Sequence, residues 1–297
     1  ELLPALCLTT TAPIVLVPAM NQAMWKAPAT QANQRILQQR GVHILGPAEG
    51  DQACGETGPG RMLEPTEIVK QLMAYAQQGP LAGRSILITA GPTCEAIDPV
   101  RFISNHSSGK MGYAIARAAK EVGANTTLVS GPTRLEAPQG VQLIKVASAE
   151  EMYHAVMARV RKSDIFIAAA AVADYRPATY APAKIKKRRE RITLELERTP
   201  DILATVAGLP EPPFTVGFAA ETEDLEKYAL EKLAHKSLDL VAANTVGKPG
   251  IGFESDENIL SLFWQGGHID LPKAAKSRLA HDLLRVIGER YHAKDSG

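Results

Sequence analysis

At 297 residues and 45% hydrophobic content the chain has room for two globular domains, taking roughly 100–200 residues for each. A formal net charge of +1 supplies no global field, so neither nucleic acid nor a membrane surface is expected as a partner. The three cysteines, Cys7, Cys54 and Cys94, are odd in number and no pair has metal-ligand spacing, which points to a reduced, cytoplasmic setting rather than a disulfide framework.

Residues 1–20 are apolar but interrupted by Pro4, Pro13 and Pro18, and they lack a basic leader. They make neither a signal peptide nor a membrane span. Glu1 opens directly into sequence that reads as buried, as if a domain were entered part-way. Ile14–Val17 is a short strand, Pro18–Asn21 a turn, Pro28–Arg40 a helix closed by Gly41, and Val42–Leu45 a second strand. A glycine-rich loop over Gly50–Gly60 precedes a helix over Pro65–Gln77. Two strands and two helices bury little surface, so residues 1–78 read as the partial end of a larger flavodoxin-like α/β domain. Cys54, beside the flexible Gly55, is either a reachable thiol or a small buried hydrophobe. Asn21 alone is an ordinary turn residue.

Residues 79–84 are the linker, and 85–297 form the second domain. The β-formers Ser85–Ala90 feed into Gly91-Pro92-Thr93, and a polar loop, Ser104–Gly109, leads to a helix over Lys110–Val122. Such a loop can aim backbone N–H groups and hydroxyls at a phosphate, with a solvated Ser/Gly loop as the alternative. It is not a P-loop, because Met111 follows Gly109-Lys110 where Ser or Thr is required, and the G-x-G-x-x-G fingerprint is missing. Strands follow at Thr126–Val129 and Val141–Val146, and Ser148 with Glu151 forms a capping box for the next helix. The strand Ile165–Ala171 is apolar throughout, as one buried on both faces should be.

In a doubly wound sheet the first and fourth strands flank the switch point where ligands bind. That places Gly91–Thr93 beside Ala168–Asp174, whose small side chains let a ligand approach the backbone. Asp174 there either holds a phosphate-bridging metal ion or caps the next turn. The basic run Lys184–Arg189 and the alternating strand Ile192–Glu197 read as a projecting hairpin, an anion-clamping flap rather than a solvated face. Thr199-Pro200-Asp201 starts a helix, and Thr215–Ala219 and Leu238–Ala242 are strands around a helix over Glu223–Lys236. A hairpin of Asn258–Trp264 and His268–Leu271 precedes a final helix over Lys273–Arg290. Tyr228 and Lys232 match the Tyr-x-x-x-Lys pair of short-chain dehydrogenases, but no glycine fingerprint accompanies them, so the match is read as chance.

The segments Gly91–Thr93, Asp98–Gly112, Ala169–Arg176, Lys184–Lys187 and Gly217–Thr222 stand in an order that resembles phosphopantothenate–cysteine ligase. Upstream, Pro18–Asn21 and Ala53–Met62 resemble the end of phosphopantothenoylcysteine decarboxylase. The chain as a whole is similar to the bacterial bifunctional enzyme of coenzyme A synthesis with its front part removed. The fold so implied is α/β: a doubly wound, Rossmann-like, mostly parallel sheet with a projecting β-hairpin flap, behind the flavodoxin-like remnant.

The resemblance implies that CTP activates 4′-phosphopantothenate as an acyl-cytidylate, and that the L-cysteine amine then displaces CMP. It places Ala168, Ala169, Ala170, Pro200, Asp201, Ile202, Leu203 and Phe218 around the nucleotide, with Asp174 near Mg2+. Lys184, Lys232 and Lys236 would contact nucleotide or phosphate, Lys184 also stabilising charge during activation, while Asn105 and Arg101 would contact the acyl group. In the decarboxylase part, which uses FMN, Cys54 matches the proton donor and Asn21 a substrate-carboxylate contact, whereas the catalytic histidine and most of the FMN pocket would precede Glu1. A homodimer through the ligase domain is expected, with a higher homo-oligomer for a full-length protein. The rival classes are a non-catalytic flavin-binding regulator, against which the complete ligase motif set argues, and the dehydrogenase already set aside.

Overall fold

In the computed structural model, which describes residues 2–10, 14–52, 55–76, 79, 81–186, 190–221, 224–245 and 255–295, the chain falls into two units, Glu1–Ala76 and Gln77–Gly297. The first unit opens with helix α1 (Leu2–Thr9), strand β1 (Val15–Leu16) and helices α2 (Gln22–Lys26) and α3 (Pro28–Gln39). Pro28 stands at the first position of α3, where its missing N–H costs nothing. Strand β2 (His43–Ile44) pairs parallel with β1, and β3 (Ala48–Asp51), β4 (Thr57–Arg61) and helix α4 (Pro65–Ala76) complete the unit.

Two expectations are corrected in this unit and one is refined. The opening segment is not buried within it: Leu2, Leu3, Leu6 and Leu8 on α1 are 53–87% exposed. The turn at Pro18–Asn21 ends in a helix cap, with Asn21 Oδ1 accepting from the Ala23 amide at 2.7 Å and so satisfying one of the unpaired donors of α2. The glycine-rich loop is an antiparallel hairpin of β3 and β4, with Gly50 opposite Gly58 and Asp51 opposite Thr57. Gly60 has φ +133°, and a Cβ there would run into the Met20 carbonyl oxygen, so the glycines permit close backbone approach rather than disorder.

The second unit starts with β5 (Ser85–Ala90), whose end is flanked by a short ribbon of β6 (Cys94–Ala96) and β7 (Phe102–Ser104). Helix α5 (Lys110–Glu121), strands β8 (Asn125–Ser130) and β9 (Gln142–Lys145), helix α6 (Ala149–Met157) and strand β10 (Ile165–Ala168) follow. Ser148 caps α6 as expected, its Oγ accepting from Glu151 N at 3.2 Å, while the Glu151 carboxylate reaches one residue further back, to the Ala147 amide at 2.7 Å. Then come β11 (Tyr175–Pro177), β12 (Leu196–Arg198), α7 (Ile202–Ala207), β13 (Phe214–Glu221), α8 (Leu225–His235) and β14 (Leu240–Thr245). The hairpin β15 (Glu257–Trp264) and β16 (Gly267–Ala275) and the helix α9 (Lys276–Asp295) end the chain.

The main sheet runs β16-β15-β14-β13-β10-β5-β8-β9. All pairs from β14 to β9 are parallel, and β15 and β16 add an antiparallel edge. The first and fourth parallel strands, β5 and β10, are neighbours, which makes the gap beyond their carboxyl ends the switch point of a doubly wound sheet. Period-two alternation splits the core between the faces. Ile86, Ile88, Ile165 and Ile167 pack under α5 and α9, while Leu87 and Phe166 pack under α6, α7 and α8.

The flap differs from its expected form. Its paired strands are β11 and β12, with Tyr175 opposite Arg198, not the basic run against Ile192–Glu197. Leu196 is 44% exposed and Ile192 63%, so the alternating pattern has no core face to bury against in this chain. Lys187, Arg188 and Arg189 lie outside the described residues.

Candidate active site

Gly91 leaves β5 with φ +74° and hands its carbonyl to Ala171 N at 2.9 Å, while Thr93 N returns a bond to Ala171 O at 3.3 Å. Across the turn Gly131 has no space for a side chain, because a Cβ would strike the Pro92 carbonyl oxygen. Thr93 is fully buried, and its Oγ1 accepts from the Ala173 amide at 3.0 Å. Ser104 donates to Thr93 O at 2.7 Å, and the Asn105 side-chain amide donates to Val172 O at 2.9 Å. The loop before α5 is thereby fastened to the segment after β10. Gly109, with φ +74°, then turns the chain into α5, and Gly112 lets the first helical turn lie against Ala90, where a Cβ would come within 2.5 Å of the Ala90 methyl.

These contacts leave a cleft of about 920 Å3 over the carboxyl ends of β5, β10 and β13. From the sequence-predicted site it gathers Asn105 on one wall, Ala168, Ala169, Ala170 and Asp174 on the floor, and Pro200, Asp201, Ile202 and Leu203 at the start of α7. Phe218, Lys232 and Lys236 close the side formed by β13 and α8. Asp201 caps α7, accepting from Ala204 N at 3.0 Å, and meets Lys236 Nζ at 2.7 Å. Desolvation works against the Asp201 charge, but the bonds from Lys236 and Ala204, with the field of Lys232, outweigh it and hold this carboxyl below its ordinary range. Lys232 Nζ donates to Phe218 O at 2.6 Å. Tyr228 is not among the cleft-lining residues and is 42% exposed, so the Tyr-x-x-x-Lys match does not bring both side chains into the cleft.

Lys184 and Arg101 are not among the lining residues. Lys184 is exposed on the flap side, and Arg101 is drawn to Asp98 at 2.9 Å and to the Ile185 carbonyl at 3.3 Å. In the first unit Asn21 bonds through Nδ2 to Glu56 at 3.0 Å, and Cys54 lies outside the described residues. Sequence reading missed Lys110, Asn244, Asn258 and Lys276, which also line the cleft. Among the described residues no cluster of three His, Cys, Asp or Glu side chains is placed to hold a metal ion, and no helix is long and apolar enough to cross a membrane.

The family model of the DNA/pantothenate metabolism flavoprotein C-terminal domain matches residues 81–291, and a flavoprotein model matches residues 3–77. A Coenzyme A biosynthesis bifunctional protein CoaBC from Vibrio vulnificus is 54% identical over 290 residues, covering 97% of this chain and 72% of the relative. The chain belongs to this family. The CoaBC protein of Escherichia coli is 51% identical over 300 residues, covering 99% of this chain and 74% of its own length. The crystal structure of the C-terminal domain of a CoaBC protein superposes with a TM-score of 0.63 at 41% identity, covering 73% of this chain and 100% of that domain. The doubly wound sheet with its cleft is thus the architecture of the CoaBC C-terminal domain, and the flavoprotein-type region precedes it.

Proposed function

We propose that this chain ligates 4′-phosphopantothenate with L-cysteine at the expense of CTP, through an acyl-cytidylate, giving 4′-phospho-N-pantothenoylcysteine, CMP and pyrophosphate. The observation that carries the reading is the cleft at the switch point, where the Asn105 loop, the alanine floor and the Lys232–Lys236 side converge in a member of the CoaBC family. We further propose that residues 1–78 belong to an FMN-dependent decarboxylase domain acting on that product, that 79–84 are a linker, and that 85–297 are the ligase.

In the first step a carboxylate oxygen of phosphopantothenate attacks the α-phosphorus of CTP, and the bond to pyrophosphate breaks. Charge gathers where two anions meet, so preorganised cations and N–H donors matter most there. Lys232 and Lys236 hold the nucleotide phosphates, with Ile202, Leu203 and Phe218 as apolar lining for the nucleoside. Exposed Lys184 reaches the triphosphate from the flap. Asp174 suits a Mg2+ that keeps its waters and needs only one or two carboxylates besides the phosphate oxygens; that ion would neutralise phosphate charge. In the second step the cysteine nitrogen attacks the acyl carbon, loses a proton, and CMP leaves with the C–O bonding pair. Asn105, whose side-chain amide is held at the cleft wall by its bond to Val172 O, donates to the acyl oxygen, and Arg101 supports the acyl substrate by bracing the flap root. A homodimer through the second unit is supported by exposed apolar side chains on and near the flap, including Val100, Phe102, Tyr180, Ile192 and Leu194.

The test is incubation of the full chain with CTP, Mg2+, 4′-phosphopantothenate and L-cysteine, followed by mass spectrometry. The expected products are the amide and equimolar CMP. Absence of both in a folded preparation would remove the ligase reading.

A further inference from the structure

At the end of the sheet opposite the cleft the second unit carries a groove of about 500 Å3. It crosses the amino ends of β5, β8 and β9 and lies between the carboxyl ends of α5 and α6. Its lining brings together Lys120, Arg159 and Lys162, and it contains no aspartate or glutamate. Among the described residues none of these three cations pairs with a carboxylate, whereas Lys236 has Asp201 and Lys294 has Asp239. Asp164, just beyond Lys162, is already taken by the Ser85 amide at 2.7 Å and by Arg84 at 3.7 Å. Arg159 gives one N–H to the Ala155 carbonyl at 3.0 Å and keeps the rest of its fork. The stem of Lys120 lies against Gly140, where a Cβ would come within 2.9 Å of Lys120 Cε, so the missing side chain makes room for the lysine at the rim. Gln142 accepts from Thr127 Oγ1 at 3.2 Å through its oxygen, which leaves its NH2 as a donor.

We propose that this groove is a second anion site, separate from the cleft, for a small molecule bearing two or more phosphoryl groups. The helix ends account for only part of the positive charge. Each presents about −0.5 of an elementary charge, so three cations leave an excess of roughly two. That excess, set in a concave surface, concentrates anions from solution. The guanidinium fork of Arg159 matches the oxygens of a phosphoryl group, and Lys162 on the same side adds a point charge. Lys120 stands at the end of α5, which packs on the other face of the sheet from α6. One phosphoryl group therefore cannot meet all three cations, and a ligand that satisfies them carries its charges apart. The volume falls in the range of small-molecule sites and exceeds what a lone phosphate fills. Ile86 and Ala158 are the only apolar side chains of the lining, so the recess offers no wall for a flat apolar ring.

Calorimetric titration of inorganic tripolyphosphate onto the full chain, without Mg2+ and at physiological ionic strength, tests this. Wild type is compared with Arg159→Gln/Lys162→Gln and Lys120→Gln in the groove and with Lys236→Gln in the cleft, whose own cations also attract the probe. The double variant should lose one binding equivalent or weaken it by about 10-fold or more, the loss of charge-assisted contacts. Lys120→Gln should weaken the same equivalent, and Lys236→Gln should leave it intact. No binding to wild type would overturn the assignment. So would isotherms unchanged in the groove variants, which would put all the binding in the cleft. Citrate bound in the groove as tightly as tripolyphosphate would show counter-ion attraction only, and would also overturn it. Should the double variant fail to fold, Lys120→Gln and Lys162→Gln, both at exposed positions, decide singly. Amide formation plays no part in this readout, so the ligase reading and the groove stand or fall separately.

Discussion

Asp98 and Ile185 stand 87 positions apart in the chain, and Asp98 Oδ2 accepts the Ile185 amide proton at 3.1 Å. Arg101 closes the triangle, pairing with Asp98 Oδ2 at 2.9 Å and donating from both terminal nitrogens to the Ile185 carbonyl at 3.3 Å. The other Asp98 oxygen takes the Val100 and Arg101 amides, each at 2.8 Å. Both backbone groups of Ile185 are therefore held by one turn, and Lys184 is carried on the neighbouring residue.

Asp98→Asn should loosen that root. Asn offers one acceptor oxygen and turns an NH2 toward groups that themselves donate. Trypsin should then cut after Lys184 or Lys186 faster than in wild type, while far-ultraviolet circular dichroism stays unchanged. Burial opposes the Asp98 charge, but the Val100, Ile185 and Arg101 amides and the Arg101 charge outweigh it and hold its folded pKa below the ordinary value. The stability this carboxylate adds is thus complete above the unfolded pKa of ~3.9 and is lost as pH falls through the lower folded value. The difference between wild type and Asp98→Asn should accordingly vanish only in strong acid. Identical proteolysis of the two proteins at neutral pH would refute the bracing role.

Asn105→Asp should impair amide formation more than activation. The present amide donates to Val172 O, whereas an ionised carboxylate cannot donate and repels both that carbonyl and the acyl phosphate. Pyrophosphate release with accumulation of the acyl-cytidylate is expected in single-turnover quench experiments. Amide formation at the wild-type rate would contradict it.

Lys184→Gln separates a surface lysine from a mechanistic one. An exposed charge contributes at most about 1 kcal/mol to stability, so the thermal midpoint should hardly move. If Lys184 swings onto the triphosphate during activation, a loss of ~3 kcal/mol slows pyrophosphate release by roughly two orders of magnitude. Chemically prepared acyl-cytidylate should still react with cysteine on this variant at a substantial rate. Wild-type pyrophosphate release would return Lys184 to the solvent, and equal loss in both assays would move its role to the second step.

Lys276 should reveal itself in alkaline stability. Its folded pKa lies below the ordinary value of 10.5, so the unfolded chain binds more protons there and stability rises with pH between the two values. Below the folded value the buried charge costs its full amount. Chemical denaturation of wild type and Lys276→Met should therefore give a stability difference that shifts in favour of wild type as pH climbs toward 10.5. A difference independent of pH would show that the residue is not strained as a cation.

Much of the doubly wound half is legible in residue pattern because its strands are buried on both faces and its helices carry caps. Ile165, Phe166 and Ile167 have no solvent side, so an unbroken apolar run could only be an interior strand. Small residues after β5 and β10 likewise marked the cleft, since Ala168–Ala170 leave room that larger side chains would fill. The misreadings have physical causes. Glycines over 50–60 signalled a loop by propensity, whereas Gly60 is needed because the Met20 carbonyl sits where its side chain would be. The flap strand was read from alternation, which carries no meaning when neither face is buried, as with Ile192 and Leu196. Lys276 gave no signal at all. A lysine between Lys273 and Arg278 looks solvated, and only the extension of β16 to Ala275 sets it at the start of α9 and inside the cleft.

The placement of β5 beside β10 also governs how this unit is made on the ribosome. β5, β8 and β9 emerge first and pair as one half of the sheet, leaving one long edge of β5 unmatched. Asp164 closes that edge, its carboxylate taking the Ser85 amide at 2.7 Å and its own amide bonding to Ser85 O at 2.8 Å. It emerges 79 residues after Ser85. Throughout that interval a nascent chain presents an apolar open strand, Ile86 to Ala90, to any neighbouring nascent copy. Synthesis slowed between Ser85 and Asp164 should therefore favour aggregation, whereas a pause placed after β10 has cleared the ribosome and paired with β5 should be harmless to this edge.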